Sequence, residues 1–166
     1  LLVGRRLFGK TSLISEAYSD RPFLYFKLSG KTEKRQFDEY KSQASRKLGL
    51  EFPSSVTNFT ALMEFLFKVS EETPMTIVLE DFNELMKKTP DHNHLLQEQW
   101  KRIKKKSHVN LVLTISNPNH ARLIFDDYGA PLLNTLDMKL YISPVSISTM
   151  KSHLDSTGKK WNNEDL

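Results

Sequence analysis

No cysteine occurs in the 166 residues. The chain therefore has neither a disulfide framework nor a thiolate metal site, a composition that fits a reducing compartment. No apolar run approaches the roughly 18 residues that a membrane span requires, and the opening Leu1-Leu2-Val3-Gly4 lacks the form of a signal peptide. Internal repeats and low-complexity segments are missing as well. These absences lead us to expect a soluble, cytoplasmic chain. The material for one sizeable core is present, since 39% of the residues are hydrophobic and 10% aromatic, at a length typical of a single domain.

The net charge of +4 hints at nucleic acid, but one cluster supplies it. Lys101, Arg102, Lys104, Lys105 and Lys106 account for the excess, and the rest of the chain is close to neutral. With Trp100 beside it, the cluster is a candidate nucleic-acid patch. Cations at a helix C-terminus are also favoured by the helix dipole, and charge runs are commonly solvated faces.

The pattern of elements alternates. Leu1-Leu2-Val3 reads as the tail of an apolar strand, so the chain is expected to be a fragment that begins inside an element. Helical spacing of Leu13, Ile14, Ala17 and Tyr18 predicts a helix from Gly9 to about Tyr18, stopped by Asp20-Arg21-Pro22. A second strand is expected over Phe23 to Leu28, with helices over Thr32 to Leu48 and Val56 to Val69. Met75 to Leu79 and Val109 to Ile115 read as strands buried on both faces. Between them lies a polar helix from about His94 to Lys106, and after them come a short helix at Asn119 to Phe125 and a strand at Lys139 to Ile142. Such alternation predicts an α/β fold with a mainly parallel sheet.

Three stretches carry chemistry. Gly4-Arg5-Arg6-Leu7-Phe8-Gly9-Lys10-Thr11 spells G-x-x-x-x-G-K-[ST], which a chain of this length contains by chance with a probability of about 1%. It stands between a strand and a helix, where glycines let successive N–H groups face one anion and the helix adds its positive end. Lys10 would reach the β- and γ-phosphates, Thr11 would fill one position around Mg²⁺, and Ser12 would close the segment. Glu80-Asp81 ends a predicted strand at the edge where a parallel sheet binds ligands. One carboxylate there can hold the metal, and the next can orient or deprotonate water; the plainer alternative is a solvated pair capping a helix. Finally, Thr114, Ser116 and Asn117 close the fourth strand. Ser116 is the first candidate to touch a γ-phosphate and Asn117 the second, against an ordinary strand-to-loop transition.

Taken in order, GRRLFGKTSLI, LYFKLSGK, TIVLEDFNEL, LVLTISNPN and YISPVSISTM resemble the archaeal-type ATPases, an AAA-related, STAND-like branch of the P-loop NTPases found in archaea and bacteria. The resemblance implies a three-layer sandwich with sheet order 5-1-4-3-2, a core over residues 1–145, and the beginning of a helical lid over 146–166. It also implies ATP and Mg²⁺ as ligands, held by residues 4 to 12, with Thr11 and Glu80 on the metal. Asp81 would then position the attacking water. Adenine is expected as the base, because no Asn-Lys-x-Asp stretch follows the fourth strand.

Three departures from that pattern bear on activity. Leu7 stands where the family has a third arginine, in a position expected to point away from the loop interior. Glu80-Asp81 reverses the family's Asp-Glu, which displaces each carboxylate by on the order of 1.5 Å, and about 1 Å can cost around 100-fold in rate. Pro131-Leu132-Leu133-Asn134-Thr135 lacks the arginine the family commonly has at its end, a group able to contribute on the order of 10³ to 10⁵ in rate. The leading expectation is an ATP-binding ATPase core with slow hydrolysis. The alternatives are a nucleotide-gated switch or scaffold that turns over negligibly, partnered through regions outside this segment, and a DNA-associated ATPase using the Lys101 to Lys106 cluster. His92 and His94 are expected in a polar turn, without metal; Arg122 in a surface salt bridge; and Phe23, Tyr25 and Phe26 in the core.

Overall fold

The computed structural model describes residues 1–28, 32–88, 91–130 and 132–158. In chain order the elements are β1 (Leu2–Val3), α1 (Lys10–Ala17), β2 (Phe23–Lys27), α2 (Glu33–Leu48), α3 (Phe59–Val69), β3 (Met75–Glu80), α4 (Asn83–Lys88), α5 (Asp91–Ile103), β4 (Val109–Ile115), α6 (Pro118–Phe125), β5 (Leu140–Tyr141) and α7 (Ile147–Ser156). The strands form one sheet in the order β2-β3-β4-β1-β5, and every pairing is parallel. This is the expected order read from the opposite edge. Because all strands run the same way, the turns after β1, β3 and β4 emerge along a single edge, which is where ligands of such sheets bind.

Burial explains the layering. β3 is buried along its first five residues, as a strand covered on both faces should be. β2 lies at the sheet edge and alternates, with Leu24 and Phe26 buried and Phe23, Tyr25 and Lys27 on the other face. The larger core joins Leu24, Phe26, Ile77 and Leu79 to Tyr40 and Ala44 of α2 and to Leu62, Met63, Leu66 and Phe67 of α3. On the opposite face α1 packs Ile14 against Leu2 and Val78. Helices thus cover both sides of the sheet, unequally.

Local chemistry sets the element boundaries. Asn58 accepts a 2.9 Å hydrogen bond from the Ala61 N–H, so α3 starts at Phe59 rather than at Val56. α5 begins at Asp91, ahead of the expected His94, which places His92 and His94 within a helix instead of a turn; their side chains lie outside the described residues. α2 ends at Gly49, whose φ of 65° is the left-handed geometry of a helix stop. At α7 the Ser146 hydroxyl accepts from the Thr149 N–H at 3.1 Å, yet no residue of this helix is buried.

Candidate functional site

The loop from Gly4 to Lys10 joins β1 to α1. Its turn is made by two left-handed residues, Leu7 at φ 68° and Gly9 at φ 83°. Gly9 needs this freedom because it caps α1. Gly4 is required for a different reason than framing the loop interior: a Cβ there would stand 2.8 Å from the carbonyl oxygen of Ile142. Leu7 projects fully into solvent, while Lys10 is buried. Its ammonium folds back into the loop and donates to the carbonyls of Gly4 at 2.6 Å and Arg5 at 2.9 Å. Burial lowers the Lys10 pKa, opposed by the negative charges of Asp81 and Glu80.

The two carboxylates face different surroundings. Glu80 ends β3 and accepts a 3.1 Å hydrogen bond from the Thr11 hydroxyl through Oε1. Its Oε2 lies 3.5 Å from the Lys27 ammonium. Asp81, the next residue, has φ 56°, a left-handed backbone that a non-glycine residue adopts at a cost and that clusters at functional sites. Two bonds to β4 hold it there. The Asp81 N–H donates to the Thr114 hydroxyl at 3.2 Å, and the Ser116 hydroxyl donates to Oδ1 at 3.0 Å. The turn therefore sends successive carboxylates in separate directions, Glu80 toward α1 and β2 and Asp81 toward the end of β4.

The Thr11–Glu80 pair fits a divalent cation. Magnesium takes oxygen ligands at about 2.1 Å in an octahedron, where neighbouring ligands stand about 3.0 Å apart. The observed 3.1 Å between the Thr11 hydroxyl and Glu80 Oε1 is such an edge. Among the described residues no group of three or more His, Cys, Asp or Glu forms a protein-only metal cage.

A scan against protein-family models finds no match, and no curated protein matches. Among solved structures, the Walker-type ATPase Paby2304 of Pyrococcus abyssi superposes with a TM-score of 0.69 at 16% identity, over 98% of this chain and 55% of that one. The fold is the α/β sandwich of the P-loop NTPases. Cdc6p from Pyrobaculum aerophilum gives a TM-score of 0.59 at 20% identity, over 92% of this chain and 41% of that one. The chain thus spans about half the length of these structures or less. The order 5-1-4-3-2 implied by the sequence resemblance agrees with this P-loop fold.

The P-loop fold brings Lys10, Thr11, Glu80, Asp81 and Ser116 to one edge. It separates other candidates from them. The Asn117 side chain is engaged elsewhere, accepting from the Asn119 N–H at 2.9 Å to cap α6. Arg122 pairs with Asp127 at 2.9 Å, the surface bridge expected of it. In the basic cluster Arg102 lies 3.8 Å from Glu64 and Lys104 pairs with Asp137, so part of its charge is already met. Among the described residues no helix is long and apolar enough to cross a membrane. Pro131 and residues 159–166 lie outside the described residues.

Sequence reasoning missed two site neighbours, both on β2. Phe26 is core, as expected, but the Tyr25 hydroxyl reaches the Thr11 hydroxyl at 3.4 Å. Burial pushes the Tyr25 phenol up to about 12. Lys27 reaches Glu80 from the next outward position. The available signal was the strand's alternation: Leu24 and Phe26 point one way, and Tyr25 and Lys27 the other.

Proposed function

We propose that this chain is the nucleotide-binding core of an ATPase of the archaeal type, binding Mg·ATP through residues 4 to 12, with residues 146–166 beginning a lid. The observation that carries the reading is the Thr11 hydroxyl set 3.1 Å from Glu80, directly behind a loop that closes around the Lys10 ammonium. Lys10 exchanges the two loop carbonyls for phosphate oxygens. The exchange is favourable because a buried ammonium gains a full negative charge in place of two carbonyl dipoles. Thr11 and Glu80 would hold Mg²⁺, which when bound neutralises charge developing on the β- and γ-phosphates.

Asp81 orients the attacking water for in-line displacement at the γ-phosphate. The Ser116 hydroxyl donates to Asp81 Oδ1, which fixes that carboxylate, and on rotating it can also meet the γ-phosphate. A left-handed Asp81 held from two sides by β4 is preorganised for that task. A nucleotide-gated switch with negligible turnover is the second reading. It is favoured by the Glu80-Asp81 order, which gives the shorter side chain to the water-orienting position and ties one of its oxygens to Ser116.

Binding and single-turnover hydrolysis of Mg·ATP, measured beside Lys10→Ala, test both. The variant should lose roughly 100-fold or more in affinity, the scale of removing a buried charged donor. Unchanged affinity would refute the site. Hydrolysis by the wild type that disappears in the variant establishes the ATPase, and lysine-dependent binding without hydrolysis establishes the switch.

A further inference from the structure

Lys27 is unused by the mechanism above, yet its ammonium stands at the metal-facing carboxylate. Its backbone is well anchored: the Lys27 carbonyl accepts from the Tyr40 hydroxyl and from Gln36 Nε2, and the following Leu28 N–H donates to the Glu80 carbonyl at 3.0 Å. The parallel register sets Lys27 directly beside Glu80. Its side chain, by contrast, is 61% exposed and carries the ammonium on a flexible four-carbon stem. The carboxyl edge of the sheet therefore presents a row, with Lys10 in the loop, Thr11 and Glu80 at the metal position, and Lys27 on the far side of Glu80.

The geometry points to Lys27 as a cis-acting cation for the γ-phosphate, which lets the site distinguish a nucleoside triphosphate from a diphosphate. The inference rests on the Mg·ATP reading of the same site. With a divalent cation held by Thr11 and Glu80, the Glu80 charge would be shared with the metal and the Lys27 ammonium would be repelled. The terminal phosphate of a bound triphosphate would then offer an anion to this ammonium on its flexible stem. Lys10 approaches the phosphates from the loop and Lys27 from β2, so the γ-phosphate is held from two sides, and the diphosphate, which lacks it, engages Lys10 alone.

The test is fluorescence titration of Mg·ATP and Mg·ADP against the full chain and its Lys27→Met and Lys27→Arg variants. Lys27→Met should weaken Mg·ATP roughly tenfold, the scale of one partly exposed charge-assisted contact, leave Mg·ADP within about twofold, and be largely rescued by Lys27→Arg. Equal changes for both nucleotides, or tighter binding of both, would overturn the assignment and leave Lys27 as a counter-ion of Glu80. A folded wild-type chain that binds neither nucleotide would instead refute the Mg·ATP reading, and this inference with it. The two failures are therefore distinguishable, one in the variants and one in the parent. Melting temperature and circular dichroism check that each variant is folded.

Discussion

The sheet has a thick half and a thin half. β2, β3 and β4 run five, six and seven residues, and Leu24, Phe26, Ile77 and Leu79 are wholly buried among them. β5, at the opposite edge, is two residues long. Both residues of β5 are exposed, as are Val145, Ile147 and Met150 beyond it. The carboxylates hang on the thick half, so close packing fixes where Glu80 and Asp81 stand. The Gly4–Lys10 loop leaves β1 and is ordered by cross-links: the Gly4 N–H to the Ile115 carbonyl at 3.1 Å, the Ile142 N–H to the Val3 carbonyl at 2.7 Å, and the two bonds from Lys10. The two carboxylates are thus placed by packing, and the loop by hydrogen bonds.

The sharpest way to break this comparison is to hollow out the thick half. Phe26→Ala deletes a wholly buried ring stacked 4.5 Å from Tyr40 and should cost about 3–5 kcal/mol. Tyr141→Ala on the thin half should stay within about 0.5 kcal/mol. Denaturant unfolding of the two variants measures the contrast, and equal losses would show that the halves are energetically alike.

A smaller effect probes how the thin half is ordered. Gly4→Ala forces a Cβ to 2.8 Å from the Ile142 carbonyl oxygen, a backbone atom that cannot rotate away. The strain should cost about 1–3 kcal/mol and weaken Mg·ATP binding, because separating β1 from β5 moves the loop. Melting temperature and nucleotide titration read the two consequences, and an intact loop in the variant would mean that close approach is not what demands glycine here.

The smallest effect concerns pH. Tyr25 is raised from 10.0 to about 12 by burial, so at neutral pH it is protonated both folded and unfolded and gives no pH dependence. As pH rises from 10 toward 12 the unfolded chain gives up this proton first, and stability falls through that window. Tyr25→Phe should flatten the fall, measured by denaturant unfolding at pH 9 and pH 11. Some slope will remain, because burial also raises Tyr40.

Much of the P-loop half of the site was legible because its residues are contiguous. Gly9, Lys10 and Thr11 need only a strand before them and a helix after, and Glu80-Asp81 needs only a buried apolar strand that stops. The reading failed where a contact depends on the other strand of a pair. FLYFKL looked like uniform aromatic core, because its composition outweighed its alternation, and so Tyr25 and Lys27 were passed over. Gly4 looked like part of the loop interior because no local pattern could place Ile142, on a distant strand, against it. Asn117 looked like a phosphate candidate because a helix cap and a strand end are the same residue type in the same place.

The sequence by itself determined the motif, the alternation of elements, and through them the parallel sheet, since these depend on spacing along the chain; the strand order came only through the family resemblance. Only the tertiary structure decided which side chains meet: Thr11 with Glu80 across 69 residues, Ser116 with Asp81 across 35, and Lys27 beside Glu80. The physical reason is register. A one-residue slip of β2 against β3 would keep both strands and most of their local preferences, yet it would turn Lys27 to the other face and leave Glu80 without it.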